Sequence, residues 1–319
     1  MQVIESSSLD TIYFRLLSRI LNAGTKVSPR GMETLELHPV TVVLNNPVRN
    51  IIASSVRALN PMFMISEFLW IFSGRNDVSF VSKFNKNIAQ FSDDGSTFNG
   101  AYGPRLYDYH GVNQLQFCFD KLKESFDTRQ ASMVIFDPSI DCVKKTVDFP
   151  CNQYLKFTVR DKKLDMSVYV RSQDMIWGFP YDCFNWTLLQ QQLANMLNIT
   201  CGKYFHIIDS AHIYAHHYEL AKKIISDRRM MLDFKIDIKC ASFSEFKLVC
   251  SELIKSIEQN QWDILKTEKL KNSIFANQIA EMFNACKNNQ NAPMKTINPL
   301  MHLYLNYAKK KENSKKEKA

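Results

Sequence analysis

The sequence has no Cys-x-x-Cys pair and no His–Cys run at metal-ligand spacing; its eight cysteines are scattered. This argues against a structural zinc site and against a disulfide framework, and it predicts a reducing compartment, the cytoplasm. No apolar run approaches the roughly 20 residues of a membrane span. The start, Met1-Gln2-Val3-Ile4-Glu5-Ser6, has no basic region followed by an apolar run and does not read as a signal peptide. Tryptophan is missing between Trp70 and Trp177. The surplus of positive charge is also smaller than it looks. Of the net +8, Ala308 to Ala319 supplies +4 through six Lys and two Glu. The remainder is mildly basic, a weak footprint for duplex nucleic acid. A small anionic substrate accounts for it.

The 319 residues suffice for one large domain or two small ones, with a core that needs no staple. Leu9 onward reads as a helix through Tyr13, Leu16, Leu17, Ile20 and Leu21, stopped by Gly24. Thr25–Gly31 is a loop carrying Arg30, and Thr34–Leu44 reads as a strand. Asn60-Pro61 starts a helix that is apolar nearly all round and ends at Gly74. Glu67 lies inside it, costly unless paired or protonated. Asp77–Ile88 reads as a further helix, Ser92–Gly103 as a loop, Val112–Phe126 as a helix and Met133–Phe136 as a strand. Two strands, Tyr154–Val159 and Leu164–Val170, flank a turn at Asp161-Lys162-Lys163. A helix follows Asp182, then a strand over Gly202–Asp209. Ser242–Ile257 and Ala276–Cys286 look like amphipathic helices. The Lys-rich end, 308–319, reads as a disordered solvated tail, or as a weak tether to nucleic acid or a replication complex.

One stretch concentrates chemistry. Phe149-Pro150-Cys151-Asn152-Gln153 is followed by Arg171-Ser172-Gln173-Asp174 and then Trp177-Gly178-Phe179-Pro180-Tyr181-Asp182. A Cys after Pro at a strand entry has a fixed backbone, and a neighbouring Arg lowers a thiol's pKa. On its own this reads either as a nucleophile or as a small core thiol. His212-Ile213-Tyr214 follows further on. His216 and His217 invite a metal reading, but no carboxylate or Cys stands at ligand spacing, so no metal is expected.

Taken in order, Pro-Cys, Arg-Ser-x-Asp, Gly-x-Pro-Tyr-Asp and His-x-Tyr resemble the thymidylate synthase family over about residues 9–225, and most of all its viral deoxycytidylate 5-hydroxymethylases. The resemblance implies an α/β (α+β) fold: a mixed curved sheet flanked by helices, in a homodimer packed sheet to sheet. It places a catalytic domain over 1–230, a helical extension over 231–307 and the basic tail over 308–319, and fades after Arg229. It implies that Cys151 adds to pyrimidine C6, with Arg171 lowering its pKa and reaching the phosphate. Glu67 would organise proton transfer and Tyr102 would support proton removal from C5. Arg30, Arg171, Ser172, His212 and Tyr214 would hold the nucleotide, and Arg129 would act in the partner subunit's site. In that pair of arginines Gln130 replaces the second. Asp174, Trp177, Gly178 and Tyr181 would line the pocket of the co-substrate, 5,10-methylenetetrahydrofolate. Asn152 stands where a His is frequent, and Lys156 where Gln is usual.

Methyl-forming members carry a Trp in the segment matching Asn85–Phe98; here only Phe91 partly fills that space. This loss, and the absence of the usual closing tail, imply that water captures the one-carbon intermediate. Asp182 stands where synthases have Asn. An ionised Asp suits the cytosine amino group and a protonated Asp can also donate to N3, so the expected reaction is hydroxymethylation of dCMP in a host cell's cytoplasm. The alternatives are thymidylate synthesis from dUMP, hydroxymethylation of dUMP or CMP, and an inactive nucleotide- or RNA-binding relative. An Asp182 that simply caps the following helix is a further reading.

Overall fold

The computed structural model describes residues 2–227, 230–262, 267, 270–287 and 298–316. Its frame is one mixed sheet of eight strands: β1 (Gln2–Ser6), β2 (Thr25–Val27), β3 (Thr34–Leu37), β4 (Val40–Leu44), β5 (Ser132–Val134), β6 (Asn152–Arg160), β7 (Lys163–Asp174) and β8 (Thr200–Tyr214). The order is β1-β4-β8-β7-β6-β5, with β3 beside the end of β8 and β2 beside β3. β1 runs parallel to β4 and β7 parallel to β8. The other pairings are antiparallel. The long strand β8 organises the sheet. One of its edges takes β4 over Tyr204–Ile208 and β3 over Ala211–Tyr214, while the other takes β7.

Period-two burial fixes the faces of the β6–β7 hairpin. Leu155, Phe157, Val159, Leu164, Met166, Val168 and Val170 point into the core. Tyr154 and Tyr169 pair across the opposite face with ring centroids 5.6 Å apart. Asp161 and Lys162 both take left-handed φ, the two-residue turn whose twist suits paired strands.

The helices are α1 (Leu9–Ala23), α2 (Pro61–Phe72), α3 (Val78–Val81), α4 (Tyr102–Tyr107), α5 (Gln114–Glu124), α6 (Pro138–Asp141), α7 (Gly178–Met196), α8 (Tyr218–Ile225), α9 (Phe243–Gln259), α10 (Ile274–Lys287) and α11 (Pro299–Lys316). Helix α7 lies on β7 and β8, α2 packs against it, and α9, α10 and α11 pack on α2. Two central helices are therefore covered on both sides: α2 is apolar nearly all round, and α7 also buries polar side chains, Asn185 and Gln190 to Gln192 among them. Asn60 caps α2 by accepting from the Met62 and Phe63 amides, and Pro61 occupies its first turn.

Five sequence expectations need correction. Thr25–Gly31, expected as a loop, begins with β2, whose backbone pairs with β3. Thr34–Leu44 is two strands, divided at His38-Pro39, because Pro39 has no N–H to continue a ladder. The helix expected over Asp77–Ile88 is only α3, then a 3₁₀ turn over Lys86–Phe91; Asn85 turns its side chain onto the Asn87 amide and starts a new segment. β1 was not expected. The tail expected to be disordered from 308 is helical through Lys316. Its lysines are good helix formers, and Lys310 Nζ donates to the carbonyls of Val56 and Arg57. Residues 317–319 of that tail, Met1 and Arg229 lie outside the described residues.

Candidate active site

A cavity of about 1240 Å³ opens between the entry to β6, the β7–α7 junction, α2 and the loop after β2. Cys151 lies on its wall just before β6. Its carbonyl accepts from the Arg171 amide at 3.0 Å, so strand pairing sets thiol and guanidinium side by side. Arg171 Nε donates to Pro150 O at 3.0 Å and Nη2 to Phe149 O at 2.8 Å, with Nη2 3.6 Å from Cys151 Sγ. Burial nevertheless pushes the Cys151 thiol above its ordinary range, outweighing the opposite pull of Arg171. The sequence reading of a thiol lowered by Arg171 is corrected in its net direction: the arginine acts as expected, but desolvation is larger.

Glu67 faces the cavity from α2. Its Oε2 accepts from Asn185 Nδ2 of α7 at 2.9 Å. Burial, reinforced by the charge of Asp182, pushes the Glu67 carboxyl up to about 8. Asp182 is half-buried on the first turns of α7, and burial raises its carboxyl to about 6. Its Oδ2 accepts from Gln173 Nε2 at 3.0 Å and from Asn152 Nδ2 at 3.4 Å. Helix α7 begins four residues earlier, at Gly178, so the reading of Asp182 as a helix cap is overturned. Asn152 Nδ2 also donates to the Tyr102 hydroxyl at 2.7 Å. Burial, then the Asp182 and Cys151 charges, hold Tyr102 well above the usual phenol range.

Arg30, Ser172, His212 and Tyr214 line the cavity. The His212 and Tyr214 rings meet edge-on, 5.2 Å apart. Ser210 Oγ donates to Glu36 beside them. Asp174, Trp177, Gly178 and Tyr181 line it as well, Asp174 standing opposite His212 in the β7–β8 register. Asp174 Oδ1 accepts from the Ile176 amide at 2.7 Å, which turns the chain into α7. The Arg57 guanidinium lies 5.1 Å from the Trp177 ring centroid. The wall matching the missing Trp is built from Asn85, Asn87, Ile88, Gln90 and Phe91.

Every sequence-predicted site residue lines this cavity except Arg129, which is exposed between α5 and β5. Asn185, Arg57 and Gln173 were missed as site residues. No local signal singles out Asn185, because α7 also buries the amides of Gln190, Gln191 and Gln192. Among the described residues, no cluster of His, Cys, Asp or Glu converges to hold a metal, and no helix is long and apolar enough to cross a membrane.

A family model described as Thymidylate synthase matches residues 11–292, well past the last recognisable motif. The chain is 38% identical over 230 residues to the deoxyuridylate hydroxymethyltransferase of Bacillus phage SP01, covering 68% of this chain and 60% of that one. It is 31% identical over 217 residues to the protein of the same name from Pseudomonas phage M6, covering 67% and 62%. With that of Delftia phage PhiW-14 it shares 30% over 224 residues, covering 66% and 62%. The chain thus spans about three fifths of the length of these curated relatives.

Proposed function

The chain belongs to the thymidylate synthase family, and we propose that it transfers a hydroxymethyl group to C5 of a pyrimidine deoxynucleoside monophosphate, dUMP. The observation that carries this reading is the convergence of Cys151, Arg171, Glu67 and Asp182 on one cavity, with Phe91 rather than an indole in its 85–91 wall. The Cys151 sulfur adds to C6 and makes C5 nucleophilic. The co-substrate, 5,10-methylenetetrahydrofolate, supplies the one carbon that C5 takes up. Asp174, Trp177, Gly178 and Tyr181 fit its flat ring system, with one carboxylate beside an apolar shelf. The C5 proton leaves with help from Tyr102 and Glu67, the bond from the new carbon to the folate nitrogen breaks with release of tetrahydrofolate, and a methylene remains outside the ring on C5. Water adds to that methylene, C5=C6 reforms, and the Cys151 sulfur leaves C6. Glu67, able to hold or release a proton near neutral pH, positions that water. Arg30, Arg171, Ser172, His212 and Tyr214 hold the phosphate and sugar.

Asp182 led the sequence reading to dCMP, whereas the names of the relatives point to deoxyuridylate. Half-buried Asp182, its carboxyl raised to about 6, matches uracil in its protonated form. Its O–H can donate to O4 and its other oxygen can accept from N3–H, as an amide would. The second reading, dCMP, is favoured by the ionised form of the same residue. The enzyme would work as a homodimer in the host cytoplasm, with Arg129 serving the other subunit's phosphate; its absence from its own cavity wall supports this. The test is turnover with dUMP and dCMP separately, each with methylenetetrahydrofolate, read by mass. Gain of CH₂O on dUMP with release of tetrahydrofolate supports the reading. Gain of CH₂ with release of dihydrofolate would make it a thymidylate synthase, and gain of CH₂O on dCMP alone would install the second reading.

A further inference from the structure

A neutral carboxylic acid is a poor judge of bases. By moving its proton from one oxygen to the other it matches uracil, which offers an O4 acceptor and an N3–H donor, or cytosine, which offers an N4 donor and an N3 acceptor. An amide swaps its ends only by turning over, so an amide held in one orientation chooses. We propose that Gln173 and Asn152 are specificity-determining positioning residues: they hold Asp182 Oδ2 as an acceptor, confine the proton of neutral Asp182 to Oδ1, and so give this carboxyl the fixed polarity of an amide. The inference rests on the reading that Asp182 meets the base.

The geometry supplies the frame. Both amide nitrogens aim at the same oxygen, Gln173 Nε2 at 3.0 Å and Asn152 Nδ2 at 3.4 Å. Each amide is oriented from behind. The Trp186 indole N–H, a donor only, lies 3.2 Å from Asn152 Oδ1, so the Asn152 NH₂ must face Tyr102 and Asp182. Gln173 is 2% exposed, and its Oε1 lies 2.9 Å from His206 Nε2. His206 is fully buried and kept neutral, so it carries one ring proton. With that proton on Nε2, facing Gln173 Oε1, Nδ1 is left to accept from the Tyr204 hydroxyl 2.7 Å away. A Cβ on Gly178 would come within 2.5 Å of Gln173 Nε2, so glycine at the start of α7 makes room for the amide. A proton on Oδ2 would oppose two N–H donors, a conflict worth about one to two decades of selectivity.

The test uses the full chain and calorimetric binding of dUMP and dCMP, which needs no turnover. The wild type should prefer one base by about tenfold or more. Gln173→Leu should bring that ratio towards one by about tenfold. Gln173→Glu should tip preference to the other base, since its carboxylate draws the Asp182 proton to Oδ2. Tyr204→Phe, which removes only the hydroxyl that fixes His206, should erode the ratio severalfold if the Gln173 variants fail to fold. Equal binding of both bases by the wild type, or a wild-type ratio in folded Gln173→Leu or Tyr204→Phe, overturns the proposal. Clear discrimination without product would instead overturn the proposed reaction and leave this inference standing. Binding of neither nucleotide would overturn both.

Discussion

Asn185 of α7 donates to Glu67 of α2 across 2.9 Å, joining the two central helices at the wall of the cavity. The bond favours the ionised carboxyl, yet burial and the nearby Asp182 dominate and place Glu67 at about 8, against 4.5 for an ordinary glutamate. Between those values the folded chain holds a proton that the unfolded chain has released. Stability should therefore fall as pH rises through that window, by at most about 1.4 kcal/mol per unit. Glu67→Gln cannot titrate. Urea unfolding at about pH 5.5 and about pH 7.5 should show the wild type losing roughly 1–3 kcal/mol relative to Glu67→Gln. A constant gap would mean that Glu67 is ionised in the folded chain.

Arg171 uses its guanidinium in three directions at once, towards Pro150 O, Phe149 O and the Cys151 sulfur. A lysine ammonium cannot reproduce that planar fork. Arg171→Lys should slow alkylation of Cys151 severalfold at a given pH, because the charge that opposes desolvation moves away. In the wild type the alkylation rate should still climb above about pH 9, since burial lifts this thiol beyond its ordinary value. Cys151→Ser should lower turnover by roughly three orders of magnitude or more while nucleotide binding persists.

The elements that carry these groups were largely legible in the sequence because their signals are local. Pro61 and Asn60 announce α2, and alternating Leu155, Phe157 and Val159 announce β6. Cys151, Arg171 and Asp182 were found through ordered motifs, and Glu67 as a carboxylate inside an apolar helix. What escaped depends on long-range contact. Gln173 sits in the variable place of a motif and gains its role from His206, 33 residues away. The net rise of the Cys151 thiol follows from enclosure, which spacing does not encode. β1 was invisible because a five-residue run with one fully buried side chain carries little pattern, and only pairing with β4 makes it a strand.

Phe91 stands on the wall matching the Trp of methyl-forming relatives, and it is 49% exposed among Asn87, Ile88 and Gln90. The side-chain amides of Asn87 and Gln90 make this wall partly polar. Phe91→Trp should enlarge the apolar cover and exclude part of the water there. The expected outcome is a lower rate of hydroxymethyl formation, by about threefold to tenfold, with methyl product becoming detectable by mass. An unchanged product spectrum and rate would show that the wall does not control water.

The segment leading to Cys151 is held by one buried ion pair. Arg105 of α4 places Nη1 2.6 Å and Nη2 2.7 Å from the two oxygens of Asp141, with the two side chains 4% and 0% exposed. Arg105 also donates to Asn99 O and Ile135 O, and Asp141 accepts from the Asp137 amide. The pair thus ties the loop before α4, the end of β5 and α6 into one block beside the cavity. Removing one partner strands a charge without water. Asp141→Ala should cost about 3–5 kcal/mol by urea unfolding. Replacing both, Arg105→Met with Asp141→Leu, should recover much of that loss, because the desolvation penalty disappears with the charges. Thiol accessibility then separates stability from positioning. If the double variant regains stability but Cys151 alkylates faster than in the wild type, the bonds from Arg105 to Asn99 and Ile135 were what kept the cavity wall closed. If alkylation returns to the wild-type rate, packing alone suffices there.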